Sequence, residues 1–427
     1  MGGAGLNILV YPHDMAMGGS QLNAIELAAA VRDLGHTVTI VGDDGELVRM
    51  VRDLGLRHVP VPARRRRPSP AVARMLRRMI RDESVDIVHG YEWPPGLEAA
   101  AATFPRGRSA AVCTVMSMAV APFLPRGLPL IVGTRALQEQ AAADRNGPVH
   151  LIEPPVDVET NSPGHPVAEF RAQFDLRDDH PAGPVVDIVV ICRLVPELKL
   201  EGVLTAIDVV GELARDLPVR LVVVGDGTAR DTVEERAAKA NARAGRRAIV
   251  LTGQLYDPRA AYAAADIMLG MGGSALRSLA FARPLVVQGE QGFWKLLTPE
   301  SCDLFLRQGW YGVADDPAAG HERLIAILRE LVADPGQRAA LGDYGRKLAV
   351  ERFSLQRAAL VQERIYREAL AADRHSLPAQ AGDGLRSAAG VAAHKVRQRY
   401  RSVRGTRKAD DFNAVTLART VLEKPGN

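Results

Sequence analysis

Uninterrupted apolar runs rich in valine and isoleucine alternate along the chain with longer stretches in which apolar positions recur every three or four residues. In the N-terminal half the runs are LNILVYP (6–12), TVTIVG (37–42), DIVHGY (86–91), AAVCTVM (110–116) and PLIVGT (129–134). In the C-terminal half they are VDIVVICRL (186–194), RLVVVGDG (220–227), AIVLTG (248–253), DIMLGM (266–271) and PLVVQG (284–289). Between residues 20 and 35, Leu22, Ile25, Leu27, Ala28, Val31 and Leu34 can share one helical face. Strands that are apolar throughout, separated by amphipathic helices, predict parallel sheets covered on both faces. The expected fold class is α/β: two Rossmann-like doubly wound domains facing a cleft.

The stretch from Pro154 to Pro184 contains six prolines among charged residues and reads as helical only around Ala168–Phe174. It predicts a hinge. The expected division is 1–165 for an N-terminal Rossmann-like domain, 166–345 for a C-terminal Rossmann-like domain, 346–374 for C-terminal helices and 375–427 for a basic, flexible tail. HSLPAQAGDG (375–384) reads as a linker, and 385–408 carries eight Lys/Arg and no acidic residue. Two readings fit that segment: a solvated tail, and an amphipathic helix that touches anionic lipid or an acidic partner. Arg64–Arg67 form a second basic run, read either as an exposed loop or as a contact for a lipid-linked acceptor.

Bulk numbers change the picture little. A chain of 427 residues is too long for one ordinary core, and a net charge of +4 implies no large polyanion or nucleic acid as partner. Three cysteines, few and far apart, argue against a disulfide framework or a zinc site and for a reducing compartment. The N-terminus lacks a cationic segment followed by an apolar one, and the longest uncharged stretch, Ser109–Pro125, is short for a membrane span. The expected location is cytoplasmic, with peripheral membrane contact.

In doubly wound sheets ligands bind beyond the carboxyl ends of the strands, so the loops there are the place for chemistry. Arg193 ends one strand and Lys199 follows just before a helix; two cations in one such loop suit a diphosphate, as against two solvated charges. Gly225, Asp226 and Gly227 allow a nucleotide close to the backbone, although a plain strand-ending turn explains them equally. In GMGGSALRSLA (270–280), Gly272 and Gly273 form a loop, Ser274 suits the N-cap, and Arg277 falls at the third helical position. A cation in a first turn costs about 0.3–1 kcal/mol, a cost reversed by a bound phosphate. Pairing of Arg277 with a carboxylate is the alternative. Gly18 and Gly19 make a second amide-rich helix start, and Glu92 and Trp93 suit the lining of a polar, sugar-sized ligand. His89 beside them reads either as part of that lining or as a satisfied core histidine. Glu92 and Glu290 are the candidates for a general base.

Taken in order, GGSQLNAIELAAAVRDLGHTVTIVG (18–42), DIVHGYEW (86–93), PPVDVE (154–159), CRLVPELKLEG (192–202), VVVGDG (222–227), VLTGQLYDPRAAYAAADIML (250–269) and the loop, helix and strand at 270–287 resemble the glycosyltransferase family 4 group of two-Rossmann, or GT-B, glycosyltransferases. The resemblance spans residues 6–370. It implies a nucleoside diphosphate sugar as donor, held by the C-terminal domain (166–345) and gripped by Arg193 and Lys199 with Gly18 and Gly19 beside its phosphates, and an acceptor held mainly by the N-terminal domain (1–165). It also implies transfer with retention of configuration, no bound metal and no cofactor. The family's pair of glutamates, E-x7-E, is missing: its second position holds Arg277, its first falls at Leu269 or Gly270. The family histidine after the fourth strand is replaced near Ser117 or Met118. A catalytically silent sugar-nucleotide binder in a glycan assembly complex is the alternative these departures motivate. A nicotinamide-dependent oxidoreductase lacks the GxGxxG it would need.

Overall fold

Each of the two halves folds around its own sheet. The structure is a computed structural model that describes residues 4–62, 65–105, 107–178, 180–196, 198–372 and 377–403. The chain divides into two units, one of residues 1–155 and 355–427, the other Val156–Ser354. The first break therefore comes earlier than the expected 165/166, because Val156 is already bonded into the second unit, its N–H donating to Phe353 O at 2.7 Å.

In chain order the first unit runs β1 (Asn7–Tyr11), α1 (Gly19–Asp33), β2 (Thr37–Gly42), α2 (Val48–Asp53), β3 (Arg57–Pro60), α3 (Pro70–Asp82), β4 (Ile87–Tyr91), α4 (Trp93–Ala102), β5 (Ala110–Val115), β6 (Leu130–Val132), α5 (Arg135–Asp144) and β7 (Val149–Leu151). The second runs α6 (Ala168–Gln173), β8 (Val186–Ile191), α7 (Leu200–Leu213), β9 (Val219–Val224), α8 (Arg230–Ala244), β10 (Ile249–Gly253), α9 (Arg259–Ala264), β11 (Ile267–Gly270), α10 (Gly273–Ala280), β12 (Leu285–Gln288), β13 (Trp294–Leu296), α11 (Pro299–Gln308), α12 (Gly320–Ala333) and α13 (Pro335–Arg352). The chain then rejoins the first unit through α14 (Leu355–Ala371) and α15 (Leu377–Val403).

The first sheet has seven parallel strands in the order β3-β2-β1-β4-β5-β6-β7. The second has six in the order β10-β9-β8-β11-β12-β13, with β13 antiparallel to β12. Successive strand residues point to opposite faces, so each sheet divides its apolar residues between two cores. In β1, Ile8 and Val10 join α1, α2 and α14, whereas Leu9 and Tyr11 join α3, α4 and α5. In β8, Ile188 and Val190 pack with α7 and α12, whereas Val189 packs with α9, α10 and α11.

The segment 375–384, expected as a linker, is corrected where it is described: from Leu377 onward it is already α15. Gly382 and Gly384 suggested a break, yet the helix continues through them because one of its faces packs on the first unit. Residues 375–376 and 404–427 of the expected tail lie outside the described residues.

Candidate functional site

A doubly wound sheet has one position where the strand order reverses, and the loops on either side of it splay apart to leave a crevice. In the second unit this switch lies between β8 and β11. The loop after β8 carries Arg193 and Lys199, and the loop after β11 carries Gly272 and Gly273. These residues, chosen for their chemistry, are thus placed on adjacent strand ends at the ligand-binding edge.

Arg193 is exposed, while Lys199, the N-cap of α7, is largely buried. Among the described residues neither side chain has a hydrogen-bond or ion-pair partner. Burial pushes the Lys199 ammonium below its ordinary range; the nearby Cys192 thiol opposes this, and the Arg193 charge adds to it. Two cations close together, with no carboxylate partner among the described residues, suit an anionic ligand. Burial likewise raises the Cys192 thiol to about 11, leaving it protonated at neutral pH.

Gly225 and Gly227 hold this loop in place. Both have positive φ (145° and 154°), and a Cβ at either would overlap a carbonyl oxygen, that of Cys192 or of Leu194. Leu194 N donates to Asp226 O at 2.9 Å, and Asp226 closes its own turn by accepting from Gly227 N at 2.7 Å and Arg230 Nη1 at 2.8 Å. The turn therefore braces Arg193 by backbone contact. Gly225→Ala is expected to cost about 3 kcal/mol through clash and a disfavoured φ. A thermal melt that matches the wild type would refute that packing role.

The expectation for α10 needs correction. Its N-cap is Gly272 (φ 54°, ψ −129°), not Ser274. Ser274 sits at the second helical position, where its hydroxyl donates back to Met271 O at 3.0 Å. Arg277 is consequently the fifth helical residue and lies in the last turn of a short helix. There the helix dipole favours a cation, and the supposed electrostatic cost disappears. The glycine pair allowed the helix to begin two residues earlier than a serine cap implied.

Glu290, just beyond β12, is half-buried and accepts a hydrogen bond from the Tyr311 hydroxyl. Burial raises its carboxyl above the usual range, the Tyr311 bond opposes this, and the Glu201 charge adds to it. The segment holding Tyr311 also reaches the α10 loop, since Gly272 N donates to Trp310 O at 2.8 Å. Tyr311 was not foreseen, because Trp310-Tyr311-Gly312 has no periodicity and follows a helix rather than a strand. A groove of about 610 Å3, lined by Asp208, Glu212, Arg236 and His321 among others, opens between α7 and α8, away from these strand ends. Its charges pair with one another, Arg236 with Asp208 and His321 with Glu212.

In the first unit the switch lies between β1 and β4. Gly18 is the N-cap of α1 and Gly19 its first residue, and Ser20 Oγ reaches Glu92 Oε1, after β4, at 3.3 Å. Glu92 Oε1 also accepts from the N–H groups of Met116 (2.9 Å) and Ser117 (3.2 Å), and Oε2 from Ser117 Oγ (2.8 Å). This buried carboxylate thus ties together the loops after β1, β4 and β5. Its backbone lies at φ 68°, ψ 171°, a region essentially reserved for glycine and costing about 1–3 kcal/mol. Such strain persists only where surrounding contacts over-determine it, and it clusters at functional sites. Ser20 and Ser117 were missed as partners, although each lies beside a residue already singled out.

His89 is a satisfied core histidine. It is fully buried between Tyr366 Oη and Thr114 Oγ1, each at 2.7 Å, and burial pushes it down to about 3. Trp93 packs edge-on against Phe123 with ring centroids 5.1 Å apart. Within the basic run, the Arg65 side chain is buried and, with Arg67, clamps Asp43, whereas Arg66 is exposed. Arg64 lies outside the described residues. No described group of three or more His, Cys, Asp and Glu side chains is arranged to hold a metal ion, and no described helix is long and apolar enough to cross a membrane.

Two family profiles match the chain: a glycosyl transferase 4-like domain over residues 18–155, and glycosyl transferases group 1 over residues 186–330. No curated protein matches the sequence. Among solved structures, a glycosyltransferase from Rickettsia africae ESF-5 is 16% identical with a TM-score of 0.69, covering 86% of this chain and 100% of its own. HepE from Anabaena, solved with UDP, is 16% identical with a TM-score of 0.65, over 85% of this chain and 100% of its own. The same protein solved with UDP-glucose superimposes with a TM-score of 0.62 at 16% identity, over 85% and 98% of the two chains. With both sheets, their switch points and both domain profiles in register, the chain belongs to the glycosyltransferase 4-like family and has the two-Rossmann GT-B fold.

Proposed function

We propose that the protein transfers a sugar from a nucleoside diphosphate sugar, held by the second unit, to an acceptor held by the first, with retention of configuration. The observation that carries this reading is the pair Arg193 and Lys199, two cations on one loop with no carboxylate partner among the described residues, beside the switch point of the second sheet. As the bond from the sugar to the diphosphate breaks, negative charge grows on the departing phosphate, and these two cations stabilise it. The amide groups at the start of α10 add donors, and Arg277 adds a further positive charge in the same helix. Glu92 positions the acceptor side by fixing three loops at once. Glu290, with its raised carboxyl and Tyr311 partner, is the titratable group nearest in kind to a proton acceptor. HepE was solved with UDP and UDP-glucose, which makes uridine donors the first to test.

Gly273 gives a direct check of phosphate approach. A Cβ there would meet nothing within 4 Å, so packing does not require glycine. Gly273→Ala is expected to leave the melting temperature equal or higher, since alanine gains about 0.5–1 kcal/mol over glycine in a helix. Nucleoside diphosphate affinity is expected to fall about tenfold as the methyl crowds the amides. Undiminished affinity counts against phosphate at that helix start.

One observation favours a second reading, binding without turnover: positions 269, 270 and 277 hold Leu, Gly and Arg in place of glutamates. The two readings separate on release of nucleoside diphosphate from a panel of nucleotide sugars over hours. Slow release supports the transferase. Binding with no release supports the silent protein.

A further inference from the structure

The helix α15 has two unlike faces. At about 100° per residue, Asp383, Ser387, Gly390, Val391 and His394 lie on one side and Leu385, Ala389, Ala392, Val396 and Tyr400 on the other. The first side is docked on the first unit. Asp383 Oδ2 accepts from Gly127 N at 3.0 Å, and Arg386 donates to Leu124 O at 2.6 Å and Pro122 O at 2.9 Å. The helix sits so close that a Cβ on Gly390 would lie 2.5 Å from Phe123 Cβ, and His394 rests against the rings of Trp93 and Phe123.

The opposite side is bare: Leu385 is 72%, Val396 70% and Tyr400 54% exposed. Lys395 and Arg399 flank this strip on one edge, Arg397 is exposed farther along the helix on the side of Arg386, and the only acidic residue of the described helix, Asp383, belongs to the docked side. The same helical layer presents more positive charge. α3, packed on α4, buries Val72, Leu76 and Met79 and turns Arg74, Arg78 and Arg81 outward. An apolar strip edged by cations is the pattern that lies flat in a membrane interface, with the strip among the acyl chains and the cations at anionic headgroups.

We infer that α15 is a built-in docking surface for an anionic lipid bilayer, anchored to the first unit by its inner face and meeting headgroups with Lys395, Arg397 and Arg399. A second copy of the chain is disfavoured as occupant, since two such faces would bring like charges together. The inference is independent of the transfer reaction proposed above. It would place the first unit at a lipid surface.

Deleting the helix would strip cover from Phe123 and Trp93, so point substitutions on the outer face make the test. The full chain is sedimented with phosphatidylcholine vesicles, with and without phosphatidylglycerol, at low and high salt. The wild type is expected to sediment only with the anionic vesicles and to be released by salt. Lys395→Glu/Arg397→Glu/Arg399→Glu is expected to bind about a hundredfold more weakly, with an unchanged melting temperature. Leu385→Ser/Val396→Ser is expected to weaken binding with the charges intact. Equal binding of the charge-reversed protein overturns the inference. So does equal binding to neutral vesicles, or a wild type that binds no vesicle and instead forms a dimer through this face.

Discussion

Lys199→Met is expected to weaken nucleoside diphosphate binding about a hundredfold while making the ligand-free protein more stable, by about 1 kcal/mol. Both effects have one cause. The ammonium is largely buried with Arg193 close by and no described carboxylate partner, an arrangement unfavourable to folding and favourable to an anion. Methionine keeps the apolar stem and removes the charge. The sign of the pH dependence follows. The folded ligand-free protein holds Lys199 with a lowered pKa, so the penalty is present at low pH and fades as pH rises through that value. The stability gap between variant and wild type therefore narrows with rising pH. Diphosphate binding favours the protonated form, so wild-type affinity falls as pH rises through the lowered Lys199 value. The variant should show no such slope. Equal affinity in variant and wild type would remove Lys199 from the donor site.

Glu92→Ala has the second largest expected effect. It leaves the half-buried N–H groups of Met116 and Ser117 without their acceptor, at a cost of about 1–3 kcal/mol, and frees Ser20 and Ser117. Transfer should be lost with the loop geometry. Glu92→Gly separates two contributions, because glycine relieves the strain at φ 68° but supplies no carboxylate. It should melt higher than the alanine variant and remain as inactive. An alanine variant with wild-type stability would show that the carboxylate does not hold these loops.

Ten strands were readable from continuous apolar runs, since strands buried on both faces have no polar positions. The three that were not, β3, β7 and β13, are the terminal strands of their sheets and read RHVP, VHL and WKL. An edge strand is short and carries charge, which blunts pairing with other chains and also erases the apolar signal. The positions of Arg193, Lys199, Gly18 and Gly19 beyond strand ends were legible because each follows an apolar run. Legibility was lower where contacts come from distant segments. Nothing local announced that Glu92 would collect donors from the loops after β1 and β5, or that Tyr311 would reach Glu290. α10 misled for a different reason: a serine after two glycines looks like a cap, yet Gly272 takes that place through a backbone conformation open to it. In α15 the glycines and the proline at 378 suggested a linker, and only its contacts with Phe123 and Leu124 explain why it forms a helix there.

The central claim is that the second unit holds a nucleoside diphosphate on the loop after β8. Calorimetric titration of the wild type and of Arg193→Ala with UDP, GDP, ADP, dTDP and NAD tests it most directly. One diphosphate is expected to bind and NAD not to, and the arginine variant is expected to lose that binding while melting at the wild-type temperature. Binding of none of them, or binding that survives in the variant, would contradict it.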